Sequence, residues 1–193
     1  MSTLFRLMTA NLLKDRTDPV LLEGLLDRID PDLVMFQEMG AKAAEVLAAR
    51  YDHRFLLPSI ELEGRGVATR FQAECESLSL PWRPGVLAKL ALDSKTLVVA
   101  GVHMSNPIDF PWWRSVRQRS DQVTALISWA DGESADAIVV AGDMNASPLW
   151  PLYRRLTDPW EDLVLAASSR SGTTPEPTCL INCSKPRTSM NAQ

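Results

Sequence analysis

The chain is short of histidine and cysteine: 193 residues carry two of the first and three of the second. An odd set of Cys75, Cys179 and Cys183 with no secretory leader argues against a disulfide framework. Cys179 and Cys183 are near enough in sequence to share a zinc ion. No histidine lies close to them, however, and there is no second cysteine pair, so a closed zinc site lacks ligands. Long apolar runs are also missing. None approaches the ~18–20 residues a membrane span needs, so no transmembrane segment is expected. The opening MSTLFRLMTANLL is too short, and too interrupted by Arg6 and Asn11, for a signal peptide; the expected location is cytoplasmic. The third absence is excess positive charge. With a net charge of −4 and an isoelectric point near 5.2, the chain is not built to grip nucleic acid by overall charge. A bound metal ion or a local basic patch would have to handle phosphates instead.

What is present is an ordinary globular composition, 46% hydrophobic and 23% charged, in a length that gives one domain with a sizeable core. No repeat interrupts residues 1–168. Apolar runs alternate with helical patterns, the mark of an α/β (or α+β) chain with strands buried under helices. Strands are expected at 4–11, 32–38, 66–71, 73–80, 85–92, 96–104 and 138–145. AECESLSL (73–80) and GVLAKLAL (85–92) alternate, so one face of each is expected to be wet. Asp18-Pro19 reads as an N-cap with proline at N1, opening a helix that runs to Ile29. Further helices are expected at 41–50, at 114–130 and from Ser147-Pro148 through Leu156. Beyond Ser168 the periodicity dissolves, and 169–193 reads as an irregular, disordered tail.

Four of these strands end in polar residues: the first at Asn11, the second at Gln37-Glu38, the third at His103, the fourth at Asp143-x-Asn145. Ligands collect at the carboxyl ends of strands in α/β sheets, because the loops there converge on one crevice. Alone, each residue has a plain structural role. Asn145 is a turn former or helix cap, Glu38 a solvated turn residue, His103 a buried hydrogen-bonded histidine. Together they are a set able to hold a hard cation and act on a phosphate. Magnesium takes oxygen ligands, keeps several waters and is typically bound by one or two carboxylates plus substrate phosphate. A histidine beside it can supply charge or a proton.

MTANL (8–12), FQE (36–38), GVHMSNP (101–107) and GDMNASP (142–148), in this order, resemble the successive motifs of the endonuclease/exonuclease/phosphatase superfamily, the deoxyribonuclease-I-like fold. GRGVATRF (64–71) is similar to the family's central glycine-rich strand leading to an arginine. The resemblance covers residues 4–165. It implies a four-layered sandwich, two β-sheets face to face with helices outside, with the second sheet incomplete here. It also implies a metal-dependent phosphoesterase that cleaves phosphodiester or phosphomonoester bonds, as in endonucleases, sphingomyelinases and inositol-polyphosphate phosphatases. Carried over, Glu38 ligates Mg²⁺ (or Mn²⁺), and Asn11 positions the metal or a phosphate oxygen. Asp143 and Asn145 orient the scissile phosphate and the attacking water, and His103 lies beside the leaving group. The implied substrate is a phosphate ester of a nucleic acid, a phospholipid or a sugar phosphate. The small residues of the 138–148 turn would let a phosphate approach the backbone.

The family closes on a Ser-Asp-His segment. Here no aspartate follows Asp162, and the histidines are His53 and His103. From Cys179 onward the likeness stops, which reads as a truncated or frame-shifted product with impaired turnover. The alternative is a catalytically inactive domain that binds phosphate or metal, or regulates, on the same scaffold. His53 is expected to be a surface histidine near a strand start. In PIDFPWWRSVRQR (107–119), one or both of Trp112 and Trp113 are expected to pack under the following helix, with Arg114, Arg117 and Arg119 on its solvated face. The other option is that they meet lipid headgroups or bases.

Overall fold

The computed structural model describes residues 5–14, 16–107, 110–147 and 149–163, and the backbone of 183–184. Alternation of apolar side chains along the strands builds the layers. In β2 (Leu33–Met39), Leu33 and Met35 face one way and Val34 and Phe36 the other, and every one of its residues is buried. Leu33 and Met35, with Val67 of β4 (Arg65–Thr69), meet Val86, Ala88 and Leu90 of β6 (Gly85–Leu92) and Val99 of β7 (Lys95–His103). That contact is the seam between two sheets. On the other side of the first sheet, Val34, Phe36 and Ala68 pack on Leu22 and Leu26 of α1 (Pro19–Ile29) and Ala43 and Leu47 of α2 (Ala41–Arg50). Beyond the second sheet, Val98, Ala100 and Val102 pack on Val123, Leu126 and Ala130 of α3 (Trp112–Gly132) and Tyr153 and Leu156 of α4 (Pro151–Thr157). The result is the four-layered sandwich.

The first sheet runs β1-β2-β4-β3, with β1 at Leu7–Lys14 and β3 at His53–Leu57. The second runs β5-β6-β7-β8, with β5 at Ala73–Leu78 and β8 at Ala137–Asp143. Each sheet holds one parallel pair, β1 with β2 and β7 with β8, and is otherwise antiparallel. A short antiparallel pair joins β9 (Glu161–Asp162) to β10 (Cys183–Ser184), so the irregular segment beyond Ser168 contributes one piece of strand. The rest of 164–193, with the Cys179 and Cys183 thiols, lies outside the described residues. No helix of the described residues is long and apolar enough to cross a membrane.

The expected α1 is present, with the Asp18 carboxylate accepting from the Val20 amide at 2.8 Å and Pro19 opening the helix. Three expectations need correction. β3 was not among the expected strands; HRFLL is a short strand that exists because it pairs with β4 along its whole length. β6 is wet on one face only toward its end: Gly85 to Ala88 are buried, Leu87 among the residues of α3 and α4, while Lys89 is half-buried and Ala91 exposed. The third concerns α3, which begins two residues earlier than its periodicity predicts. Trp112 and Trp113 do not pack beneath it: they are 64% and 58% exposed and touch each other, and Trp113 also touches Phe110. Val116 is also exposed, while Arg119 is 5% exposed and lies under Trp150, its guanidinium carbon 5.0 Å from the ring centroid. The inner stripe of the helix is Ser115, Arg119, Gln122, Val123, Leu126 and Ala130.

Candidate active site

The two parallel pairs place four strand ends on one edge of the sandwich. Asn11 on β1 lies opposite Gln37 on β2, and His103 on β7 opposite Asp143 on β8. Alternation puts Asn11, Gln37, His103 and Asp143 on the inner faces, in line with Leu7, Met35, Val99 and Val139 of the seam. Glu38 follows Gln37 and by the same alternation would face the helices. Its backbone is left-handed, at φ 48°, which breaks the alternation and brings the carboxylate round to the seam. Leu13, Lys14 and Asn145 at neighbouring strand ends are left-handed too. A non-glycine residue there costs about 1–2 kcal/mol, and such outliers gather where function requires them.

The Asn11 amide nitrogen donates to both carboxylates, to Glu38 Oε1 at 3.0 Å and to Asp143 Oδ2 at 3.2 Å. It therefore bridges the sheets and sets the carboxylate spacing. Its Oδ1 is turned to the Leu13 amide, 3.0 Å away. His103 Nε2 lies 3.8 Å from Glu38 Oε1 and 3.9 Å from Asp143 Oδ2. Burial, with the Arg83 guanidinium adding to it, pushes the imidazole below its usual range; Asp143 and Glu38 pull the other way. Arg83 Nη1 lies 3.2 Å from Nδ1 and 3.1 Å from Nε2. A guanidinium only donates, so this contact also needs a neutral ring with a lone pair.

Asn145 stands apart from these four. Its amide N–H donates to Asp143 Oδ1 at 2.9 Å, and its side-chain nitrogen to the Met104 carbonyl at 2.8 Å. It thus ties the loop after β8 to the loop after β7, which the Ser105 amide anchors to Gln122 on α3. Gly142 has a reason of its own. It sits at φ 139°, and a Cβ there would come within 2.0 Å of the Val102 carbonyl oxygen on the paired strand. The small residue serves close packing of β7 and β8 beside His103.

No cluster of three or more His, Cys, Asp or Glu in metal-binding array occurs among the described residues. The donors that converge are two carboxylates and an amide, hard groups from three strands, with a neutral imidazole alongside. Two carboxylates with water and a phosphate completing the shell fit Mg²⁺ or Mn²⁺, and do not fit a closed structural zinc site.

Two groups were missed in the sequence. Arg65 shares the inner face with Gln37, its register partner, and Arg83 reaches His103 from the β5–β6 connection. Inner-face parity with Val67 was the available signal for Arg65; PWRPG carried none for Arg83. Arg70, the arginine to which the GRGVATRF strand leads, is at the far edge, paired with Asp30 and Asp32. His53 is there as well, aligned through Thr69 with Leu33 at the start of β2. It cannot stand in for a second histidine at the site.

Two mixed sheets face to face, with acidic, amide and imidazole groups at one seam, define a class of α/β sandwich proteins. The family description "Endonuclease/Exonuclease/phosphatase family" matches residues 8–187. The chain belongs to that family, whose members are hydrolases acting on phosphoester bonds. Its fold is similar to that of a humanized TDP2 of D. rerio carrying 14 mutations (TM-score 0.74, 15% identity, 96% of this chain and 83% of that one). It is also similar to the human Nocturnin catalytic domain with bound sulfate (0.66, 15%, 93% and 81%). A third likeness is ANGEL2, a 2′,3′-cyclic phosphatase in complex with adenosine-2′,3′-vanadate (0.59, 19%, 82% and 58%). No curated protein matches the sequence.

Proposed function

We propose that this chain is a phosphoesterase dependent on Mg²⁺ or Mn²⁺, working at the seam edge on a phosphate ester of a nucleic acid, a phospholipid or a sugar phosphate. The observation that carries this reading is the convergence of Glu38 and Asp143, one from each sheet, on a single Asn11 nitrogen. Glu38 and Asp143 would hold the cation, which when bound supplies Lewis-acid polarisation of a phosphoryl oxygen and offsets negative charge. Asn11 fixes their separation and, with its amide turned, offers an oxygen to the cation or a donor to phosphate. His103 starts neutral and can take a proton or accept a hydrogen bond beside the ester. Asn145 holds Asp143 in orientation through its backbone N–H. Phosphate-type ligands are supported by the likeness to ANGEL2, a 2′,3′-cyclic phosphatase, and to the Nocturnin catalytic domain with bound sulfate.

The test is hydrolysis of bis(p-nitrophenyl) phosphate and p-nitrophenyl phosphate with Mg²⁺, Mn²⁺ or EDTA. Release should require the cation and fall about 100-fold or more in Glu38→Gln and in Asp143→Asn. Unchanged release in both variants would remove these residues from the site. A second reading, cation binding without turnover, is favoured by one fact: His103 is the only imidazole at this edge. It predicts cation affinity with no product from either ester.

A further inference from the structure

Beside His103 the seam opens into a cleft of about 220 Å³, lined by Gln37, Arg65, Trp82, Arg83 and His103 among others. Its volume is below the roughly 300–1,000 Å³ of a pocket that swallows a whole ligand. It is the size for one group of a ligand whose remainder lies elsewhere. Two guanidinium groups line it, and neither makes an ion pair among the described residues. The Arg65 Nε is buried with no hydrogen-bond partner. Arg65 Nη1 meets only the Glu63 carbonyl, at 3.3 Å, and the Glu63 carboxylate offsets the charge without forming an ion pair. Arg83 is spent on the His103 ring, which carries no negative charge to match it.

Arg65 is half-buried, and a guanidinium whose Nε is shut off from water with no ion-pair partner is costly. It persists where the fold holds it for a ligand. Arg65 is held tightly: it is paired on both sides, to Gln37 on β2 and Leu57 on β3. Planar guanidinium forks match phosphate oxygens in bidentate fashion, which ammonium groups do not. Glu38 and Asp143 are not among the residues lining this cleft, which brings Glu63 together with the two arginines.

We infer that the Arg65–Arg83 cleft is a subsite for a second phosphate of the substrate, one linkage away from the phosphate worked on at Glu38 and Asp143. The substrate class is then a phosphoester carrying a neighbouring phosphate, such as a nucleotide phosphorylated at two positions. This rests on the phosphoesterase reading, and it deepens it by assigning what occupies the ground beside His103.

The experiment is calorimetric titration of the whole chain with thymidine 3′,5′-bisphosphate and thymidine 5′-monophosphate, at fixed ionic strength, with and without Mg²⁺. The bisphosphate should bind about 10-fold or more tightly, the scale of one charged hydrogen-bonded contact. Arg65→Met should reduce that preference to under about twofold and leave monophosphate affinity unchanged. Arg83→Met, on a half-exposed residue, is the second variant and should also weaken the preference, in case Arg65→Met fails to fold. Equal affinities in the wild type, no binding of either ligand, or a preference kept in both variants would overturn the proposal. So would equal loss in Arg28→Met on the exposed face of α1, which would mean overall charge alone. Failure of the carboxylate reading has another signature: the preference remains, and monophosphate binding is indifferent to Mg²⁺.

Discussion

Adding one methyl group at Gly142 should disrupt the site without touching any of its polar groups. The Cβ would lie 2.0 Å from the Val102 carbonyl oxygen and 2.9 Å from its carbonyl carbon and its nitrogen. Those are backbone atoms of β7, fixed by the parallel ladder that pairs Val102 with Gly142 and His103 with Asp143. They cannot move aside like a flexible side chain. The φ of 139° adds strain of about 1–3 kcal/mol for an L-residue. With the local ladder broken, the sum is about 3–5 kcal/mol, in the range reserved for gross backbone or core lesions. At roughly 2–4 °C per kcal/mol for a domain of this size, Gly142→Ala should melt about 6–20 °C below wild type. Gly24→Ala is the matched control. Gly24 lies in the exposed part of α1 with nothing within 4 Å of an added Cβ. That change should raise stability by about 0.5–1 kcal/mol, because alanine has the better helix propensity. Differential scanning calorimetry reads both. A Gly142→Ala midpoint within 2 °C of wild type, by the same rough conversion under 1 kcal/mol, would refute the packing argument for the turn.

Further expectations follow from single contacts. Asp18→Ala removes the N-cap of α1 and should cost about 1 kcal/mol in denaturant unfolding. Burial pushes the Cys75 thiol up to about 11 from an ordinary 9.0. Its thiolate fraction at pH 8 is thus roughly 100-fold lower than a free thiol's. Peptide mapping after brief maleimide treatment at pH 8 should find Cys75 unmodified until the chain is denatured. His103 titrates below its ordinary 6.5 because the fold buries it beside Arg83. Between 6.5 and that lower value the unfolded chain binds the extra proton, so stability falls as the pH drops below 6.5 and is flat with respect to this group above it. In EDTA, His103→Gln should flatten the acid-side loss of the melting temperature. An unchanged acid-side slope would contradict the neutral-ring assignment.

The layers were legible in the sequence because period-two and helical patterns reflect which face is buried. DLVMFQE announced a strand, and Asp18-Pro19 announced the start of α1. The strand ends carrying Asn11, Glu38, His103 and Asp143 were legible as well, since each is a polar group at the end of a largely apolar run. What stayed hidden depends on backbone and tertiary context. Glu38 reaches the seam only through its left-handed backbone, which its residue type does not signal. HRFLL is a strand because β4 offers it an edge. Arg119 is buried because Trp150 and the Asn145 carbonyl receive it, although its charge marked it as a surface residue. Gly142 looked like an opening for phosphate, and it is a point of strand-to-strand contact.

The central claim is that carboxylates from two sheets form one cation site. Mn²⁺ binding measured by electron paramagnetic resonance on the wild-type chain, Glu38→Gln and Asp143→Asn tests it directly, with or without turnover. The account predicts one Mn²⁺ site in the wild type, displaced by Mg²⁺ and weakened about 10-fold or more by either substitution, the scale of one charged contact. Affinity equal in all three proteins would contradict it.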